Sequence, residues 1–309
     1  MTMLDVVLLA ATLSPAAPQA PSPAAPTAAA ELQALKKSCD KGNGADCYTL
    51  AGRHRRGEGA ARDAGKAAGF LKKACELQVI NACFDLGEAH LAGEGVDKDA
   101  PKAAVLLQKA CDGGHGQGCL RLALVYQGGV ELEKDLTRAS TLLDKACAAG
   151  VVKGCAALAA MRLEGRGVPK DAAGASTLLA RACEGSDAES CGRLAQLYRT
   201  GEGVRRDPAR ALRLAEQACQ AGYMAGCHEV GLAVETGVGA ARNLPRAVEL
   251  YGKACEAGVA ASCRSVALLR RGGAGTGRDL AKALAELRKA CEGHDGPGCF
   301  ELAGHLAAG

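Results

Sequence analysis

Tryptophan is absent from this 309-residue chain and aromatics make up only 3% of it. That scarcity excludes a deep core of bulky rings and suits thin helices packed through small side chains in an extended shape. Charge of one sign is lacking too. With 38 Lys plus Arg against 34 Asp plus Glu the net charge is +4, too slight and too evenly spread for nucleic acid as a partner. No apolar run reaches the roughly 20 residues that span a bilayer. The longest candidate, Val6 to Leu13, is flanked by Asp5 and Pro15, so no transmembrane segment is expected. Catalytic signatures are missing as well: there is no G-x-S-x-G, no H-E-x-x-H and no phosphate-binding P-loop. No C-x-x-C occurs either, which removes the usual zinc spacing, so neither metal nor cofactor is expected.

What is present is periodicity. Cysteines stand at Cys39, Cys47, Cys75, Cys83, Cys111, Cys119, Cys147, Cys155, Cys183, Cys191, Cys219, Cys227, Cys255, Cys263, Cys291 and Cys299, so the gaps alternate between 8 and 28 and the period is 36. Gly57 and Ala67 recur at the same interval, as far as Gly273 and Ala283. One structural unit copied along an axis produces such self-similarity.

Within a unit, Cys47, Leu50, Ala51 and His54 follow the i, i+3, i+4, i+7 spacing of one helical face, and Gly57-Glu58-Gly59 stops that helix, A. Asp63 then stands where an N-cap belongs, repeated as Asp99, Asp135, Asp171, Asp207, Asn243 and Asp279. Helix B follows with Ala67, Phe70, Leu71, Ala74 and Cys75. Glu31 to Asp40 fits a leading helix B and Cys299 to Leu306 a trailing helix A. Seven full units between these flanks make sixteen helices.

Cys75 falls about a turn before the end of a helix B and Cys83 about a turn into the next helix A. An antiparallel hairpin sets them opposite each other at a separation suited to a disulfide. Eight such bridges use all sixteen thiols and imply an oxidising compartment, periplasmic or secreted. The competing reading keeps the thiols reduced, as buried small hydrophobes in a cytosolic protein. Residues 1–30 combine a short apolar core with a Pro/Ala-rich stretch ending in Ala28-Ala29-Ala30. They read as a signal peptide or as a disordered tail outside the fold, with the solenoid over 31–309.

The pattern Lys-Ala-Cys-(x)7-Cys-x-x-Leu-Gly, standing at Lys73 to Gly87, with Gly-Glu-Gly-Val at Gly93 to Val96, resembles the SEL-one-like repeat. Its cysteine content is similar to that of the Helicobacter-type cysteine-rich repeat proteins. The resemblance covers about residues 36 to 304. It implies an all-α, right-handed αα superhelical solenoid of 36-residue repeats, related to tetratricopeptide arrays, with one disulfide per helix hairpin and a concave face that recruits protein or peptide partners. Members of the cysteine-rich branch are described as binding penicillin-like compounds and as weak β-lactamases, while a mitochondrial relative is tied to cytochrome oxidase assembly.

Candidate partner-binding side chains are those of helix A: Tyr48, His54, Phe84, His90, Tyr126 and Tyr198. Four of these, His54, His90, Tyr126 and Tyr198, share one repeat position and form a ladder along the axis. Such a ladder either packs between neighbouring helices or faces a ligand. Arg53, Arg55, Arg56, Arg199, Arg270 and Arg271 gather near helix-A C-termini, where they complement the helix dipole or line a groove for an acidic partner. For β-lactamase chemistry the sequence offers one S-x-x-K match, Ser38 to Lys41, without the S-D-N and K-T-G elements that normally accompany it. The oligomeric state is not readable from the sequence.

Overall fold

The computed structural model describes residues 28–130 and 132–307. The segment read as leader or tail lies outside the described residues except for Ala28, Ala29 and Ala30, which open the first helix three residues earlier than expected. Alanine's high helix propensity accounts for that early start.

Among the described residues every regular element is a helix: α1 Ala28–Asp40, α2 Gly44–Arg56, α3 Ala64–Glu76, α4 Ile80–Ala92, α5 Ala100–Asp112, α6 Gly116–Gly128, α7 Leu136–Ala148 and α8 Val152–Glu164. The second half continues with α9 Ala172–Glu184, α10 Ala188–Thr200, α11 Pro208–Gln220, α12 Met224–Thr236, α13 Leu244–Glu256, α14 Ala260–Gly272, α15 Leu280–Glu292 and α16 Gly296–Ala307. Odd-numbered helices are the B helices and even-numbered ones the A helices. Each B helix packs against the A helix on either side of it, which builds the solenoid.

The local chemistry that starts and stops the helices is the same in every repeat. From α3 to α15 each B helix has the expected Asp, or Asn243, at its N-cap, with the side-chain oxygen accepting the N–H three residues on, as Asp63 does from Lys66 at 2.9 Å. The A helices, α2, α4, α6, α8, α10, α12 and α14, end on a glycine in the left-handed region. The second glycine of the loop has a further reason to be glycine. Gly95 has φ 74° and presses on the start of α3, so a Cβ there would run into the Ala64 carbonyl.

The alanines that recur seven apart on the B helices are buried throughout, Ala74, Ala110, Ala146, Ala182, Ala218, Ala254 and Ala290 all at 0% exposure. One residue after each of them stands the first cysteine of a bridge. The small residue before the second cysteine meets the same alanine: a Cβ on Gly226 would lie 2.7 Å from that of Ala218. Eight disulfides close the eight B–A hairpins, with Cα atoms 4.5 to 4.7 Å apart and no free cysteine among the described residues. Cations tie consecutive hairpins together at the C-terminal ends of the B helices. Lys109 Nζ donates to the Cys75 carbonyl at 2.8 Å and Arg181 to that of Cys147 at 3.0 Å, while Lys73 and Lys145 pair with Asp40 and Asp112. Each places positive charge on a carbonyl terminus of negative partial charge.

Candidate functional site

The helix-A side chains expected to meet a partner divide into two registers with different fates. Tyr48, Phe84 and His228 follow the second cysteine of their hairpins and pack towards the next hairpin. The Tyr48 hydroxyl donates to Asp85 at 3.0 Å, Phe84 stacks on His115 with centroids 4.4 Å apart, and His228 Nδ1 lies 2.8 Å from Ser262 Oγ. These are contacts between repeats.

In the other register His54 is a correction to the sequence reading: it is 7% exposed and stacked on Phe70 at 5.5 Å, closed off from any partner. Tyr198 keeps an edge in solvent but carries the Arg210 guanidinium 4.5 Å over its ring. His90 and Tyr126, adjacent copies of the position, instead open onto two neighbouring depressions.

The first depression, about 840 Å³, lies between α3 and α5. Leu86, His90, Val96 and Leu106 line it, with Lys72, Glu76, Lys102 and Lys109 around them. Its width has a local cause in Gly65 and Gly69, four apart on α3. A Cβ on Gly69 would meet nothing within 4 Å and one on Gly65 would make only ordinary contact. Packing therefore does not demand glycine there, and the missing side chains are what leaves the wall open. The second depression, about 750 Å³, lies between α5 and α7 beside Tyr126, Leu132 and Arg138. Pro101 and Val105 border both, and Val105 is 70% exposed on the shared ridge. Two consecutive hollows joined at an exposed apolar ridge form a surface on which an extended segment fits. The Gly65/Gly69 pair is the sequence signal for this opening.

The arginines near the A-helix ends do not form a free cationic groove. Arg53 pairs with Glu31 at 3.0 Å, Arg55 with Asp85 at 3.7 Å, Arg56 with Glu58 at 2.5 Å, Arg199 with Glu229 at 2.7 Å and Arg271 with Glu301 at 2.7 Å, and Arg270 meets Glu286. Several join one repeat to the next, so the reading of an open site for an acidic partner is corrected. The Ser38/Lys41 guess fares no better. Helix α1 ends at Asp40, which leaves Lys41 exposed in the turn, and no hydrogen bond joins the two side chains. A nucleophile and its base need that contact.

The fold alters the titration of His228. Burial pushes its pKa below the ordinary 6.5, reinforced by Arg264 and Arg199 and opposed by Glu229 and Glu235. The neighbouring Tyr251, 5.2 Å away ring to ring, is itself pushed far up by burial and by donating to Glu235 at 2.7 Å. Because the unfolded chain binds the His228 proton more readily than the folded one, this contribution is complete above about 6.5 and is lost as pH falls from there towards the folded value. Urea midpoints measured from pH 7.5 to 5 should fall over that window, and His228→Phe, the residue type of Phe84 at this register, should flatten that part of the curve. A wild-type slope retained in the variant would assign the pH dependence elsewhere.

Disulfide-closed αα hairpins stacked with a period of 36 residues define an interaction-type helical solenoid. The Sel1 repeat profile matches seven consecutive segments, 45–79, 80–115, 116–151, 152–187, 188–223, 225–259 and 260–295, and the chain belongs to the Sel1 repeat family. Its fold is similar to that of c5321, a protective antigen of uropathogenic Escherichia coli strains displaying an SLR fold (TM-score 0.74, 24% identity over 89% of this chain). This chain spans 59% of that protein's length. A Sel1 repeat protein from Oxalobacter formigenes superposes with a TM-score of 0.66 at 24% identity, covering 88% of this chain and 79% of the other. Helicobacter pylori cysteine rich protein B is 31% identical over 43% of this chain and 96% of its own, with a TM-score of 0.35. Curated proteins give no match. Repeats of this type mediate protein interactions, the eight bridges point to an oxidising environment, and no described helix is long and apolar enough to cross a membrane.

Proposed function

We propose that this protein is a disulfide-stapled scaffold that binds protein or peptide partners on the concave face of its solenoid, in the periplasm or outside the cell. A leader within residues 1–30 fits that route. The observation that carries the reading is the pair of joined depressions along α3, α5 and α7, apolar at the base and edged with both charges. A stapled array holds such a surface in shape before a partner arrives, so little conformational entropy is lost on binding. His90 and Tyr126 border the hollows and are the side chains that would meet a partner there, with Tyr48, Phe84 and Tyr198 acting through the packing of the A helices.

Val105→Glu tests this. Val105 is 70% exposed, so the melting temperature should stay within a degree or two of wild type, whereas a charge pressed onto an apolar partner side chain should weaken capture by roughly tenfold or more. The comparison is a pull-down from envelope extracts without reductant, using wild type and variant side by side. Recovery of the same partners by both removes the ridge from the interface. Recovery of nothing specific by wild type counts against the scaffold.

A further inference from the structure

The seven full repeats serve as controls for one another, and one of them departs from the rest at a buried contact. On the B helices the register of Leu71 reads Leu71, Leu107, Leu143, Leu179, Ala215, Tyr251, Leu287. Twenty residues earlier, on the A helices, stands a small residue in every copy: Ala51, Gly87, Ala123, Ala159, Ala195, Gly231, Ala267. The two positions face each other. A Cβ on Gly87 would lie 2.9 Å from Leu107 Cγ, and one on Gly231 would lie 2.7 Å from Tyr251 Cε1. Large therefore meets small six times, and where the B side grows to tyrosine the A side shrinks to glycine. Only at Ala195 and Ala215 are both partners small. The main buried cluster, which runs from Leu91 to Leu197, gives way here to a small one of Ala195, Ala215 and Val230. A pocket of about 300 Å³ lies here, with Leu212, Leu232 and Val238 completing its apolar wall, whereas the same register at Leu71 holds a narrower depression of about 230 Å³ edged by Asp85, Glu88 and Glu94.

A loop residue sets the charge at its mouth. Arg62 pairs with Glu94 at 3.3 Å and Lys170 with Glu202 at 3.2 Å, each a cation meeting the acid of the loop 32 residues on. Arg206 occupies that cationic register, and the residue 32 on is Val238. Its Nε donates to the Arg199 carbonyl at 3.1 Å, which fixes the guanidinium at the rim, and it makes no ion pair among the described residues. Beside it Arg199 is already paired with Glu229 at 2.7 Å. Arg242 has the same backbone anchor, to Glu235, and an alanine, Ala274, where the acid stood, but there the Tyr251 ring fills the interior space. Among the described residues, the pocket at the Ala215 repeat has an unpaired guanidinium at its mouth, whereas the smaller depression at Leu71 has Glu94 there, paired with Arg62.

We infer that this pocket is a binding site for a small aliphatic monocarboxylate, with its chain against Ala195, Ala211, Ala215 and Leu232 and its carboxylate on Arg206. The volume lies at the lower end of ligand sites, which run from roughly 300 to 1,000 Å³, and so selects a short chain. A guanidinium presents its N–H groups as a planar fork matched to a carboxylate, and with Arg199 neutralised by Glu229 one negative charge is what the mouth can balance. The site lies on α10, α11 and α12, apart from the α3–α5–α7 depressions, and does not depend on the scaffold reading.

Octanoate is the probe, titrated calorimetrically into the oxidised full chain, with octanamide as its uncharged counterpart. Ala215→Leu installs the residue that five of the seven copies carry, so it keeps the fold and its melting temperature should be equal to wild type or higher. It should weaken octanoate binding by roughly tenfold or more by narrowing the pocket. Val238→Glu restores the acid seen at Glu94 and Glu202, claims Arg206, and should weaken octanoate by roughly tenfold more than it weakens octanamide, since the charge-assisted contact is lost. Saturable binding of octanoate in wild type, weaker binding of octanamide and weaker octanoate binding in both variants establish the site. No saturable binding at millimolar octanoate, octanamide bound as tightly as octanoate, or an Ala215→Leu protein that binds like wild type each overturns it.

Discussion

Reduction of the eight disulfides is expected to unfold the array at temperatures where the oxidised protein is fully helical. Each bridge closes a loop of about nine residues, whose restriction in the unfolded chain is worth roughly 2–3 kcal/mol in the chain-entropy treatment. In a solenoid each repeat contacts only its neighbours, so these terms accumulate along the chain. Eight of them come to the order of 20 kcal/mol, more than the roughly 5–15 kcal/mol by which a folded domain usually exceeds its unfolded state. The interior offers little to offset the loss. Its fully buried positions are mostly alanine, leucine and the cysteines themselves, with Tyr251 the only ring among the largest of them. Far-ultraviolet circular dichroism with and without reductant, the thiols alkylated to hold the reduced state, should show the melting transition falling by tens of degrees or disappearing. A single pair, Cys147→Ser with Cys155→Ser, should cost about 2–3 kcal/mol. Reduced protein that melts where the oxidised protein does would leave the cysteines as buried thiols and withdraw the compartment inferred from them.

The features legible in the sequence are those governed by local chemistry. The period, the sixteen helices, the Asp and Asn243 caps of the B helices and the glycines that end the A helices each depend on a few neighbouring residues, and the structure has them where the residues require. The eight hairpin bridges follow from the same source, because residues eight apart across a short turn have one way to meet. The features that were not legible depend on what the adjacent repeat supplies. His54 and His90 occupy one register, yet His54 is covered by the Phe70 ring while His90 opens onto a groove that Gly65 and Gly69 leave unfilled. The ion pairs of Arg55 and Arg199 with acids thirty residues on are invisible until the superposition of repeats is known. Once the period is known, such pairs follow from a fixed offset, and the same offset marks Ala215 as the small residue in a register of leucines and one tyrosine.

Removal of one partner from the Arg270–Glu286 pair is expected to produce the largest loss of any single substitution in the last full repeat. At the equivalent positions the other repeats place His54 against Phe70 and pair Val234 with Leu250; the seventh repeat places two charges there instead. Their side chains are only 14% and 9% exposed, Arg270 Nη1 meets Glu286 Oε1, and Glu286 Oε2 has no hydrogen-bond partner. Desolvation of both ions is thus offset mainly by their mutual attraction. Glu286→Ala strands the guanidinium in an apolar setting and should cost about 3–5 kcal/mol, whereas breaking an exposed pair such as Lys66 with Asp63 should leave the stability nearly unchanged. The double substitution Arg270→Val with Glu286→Leu recreates the Val234–Leu250 arrangement, and replacing a buried ion pair by packed aliphatic groups is neutral or stabilising by about 1–4 kcal/mol. The double variant should therefore melt at or above wild type although Glu286→Ala melts far below it. Urea midpoints of wild type, the two single variants and the double variant supply the cycle. A double variant as unstable as Glu286→Ala would mean that the pair adds net stability to this repeat, and that the aliphatic register of its neighbours does not transfer to it.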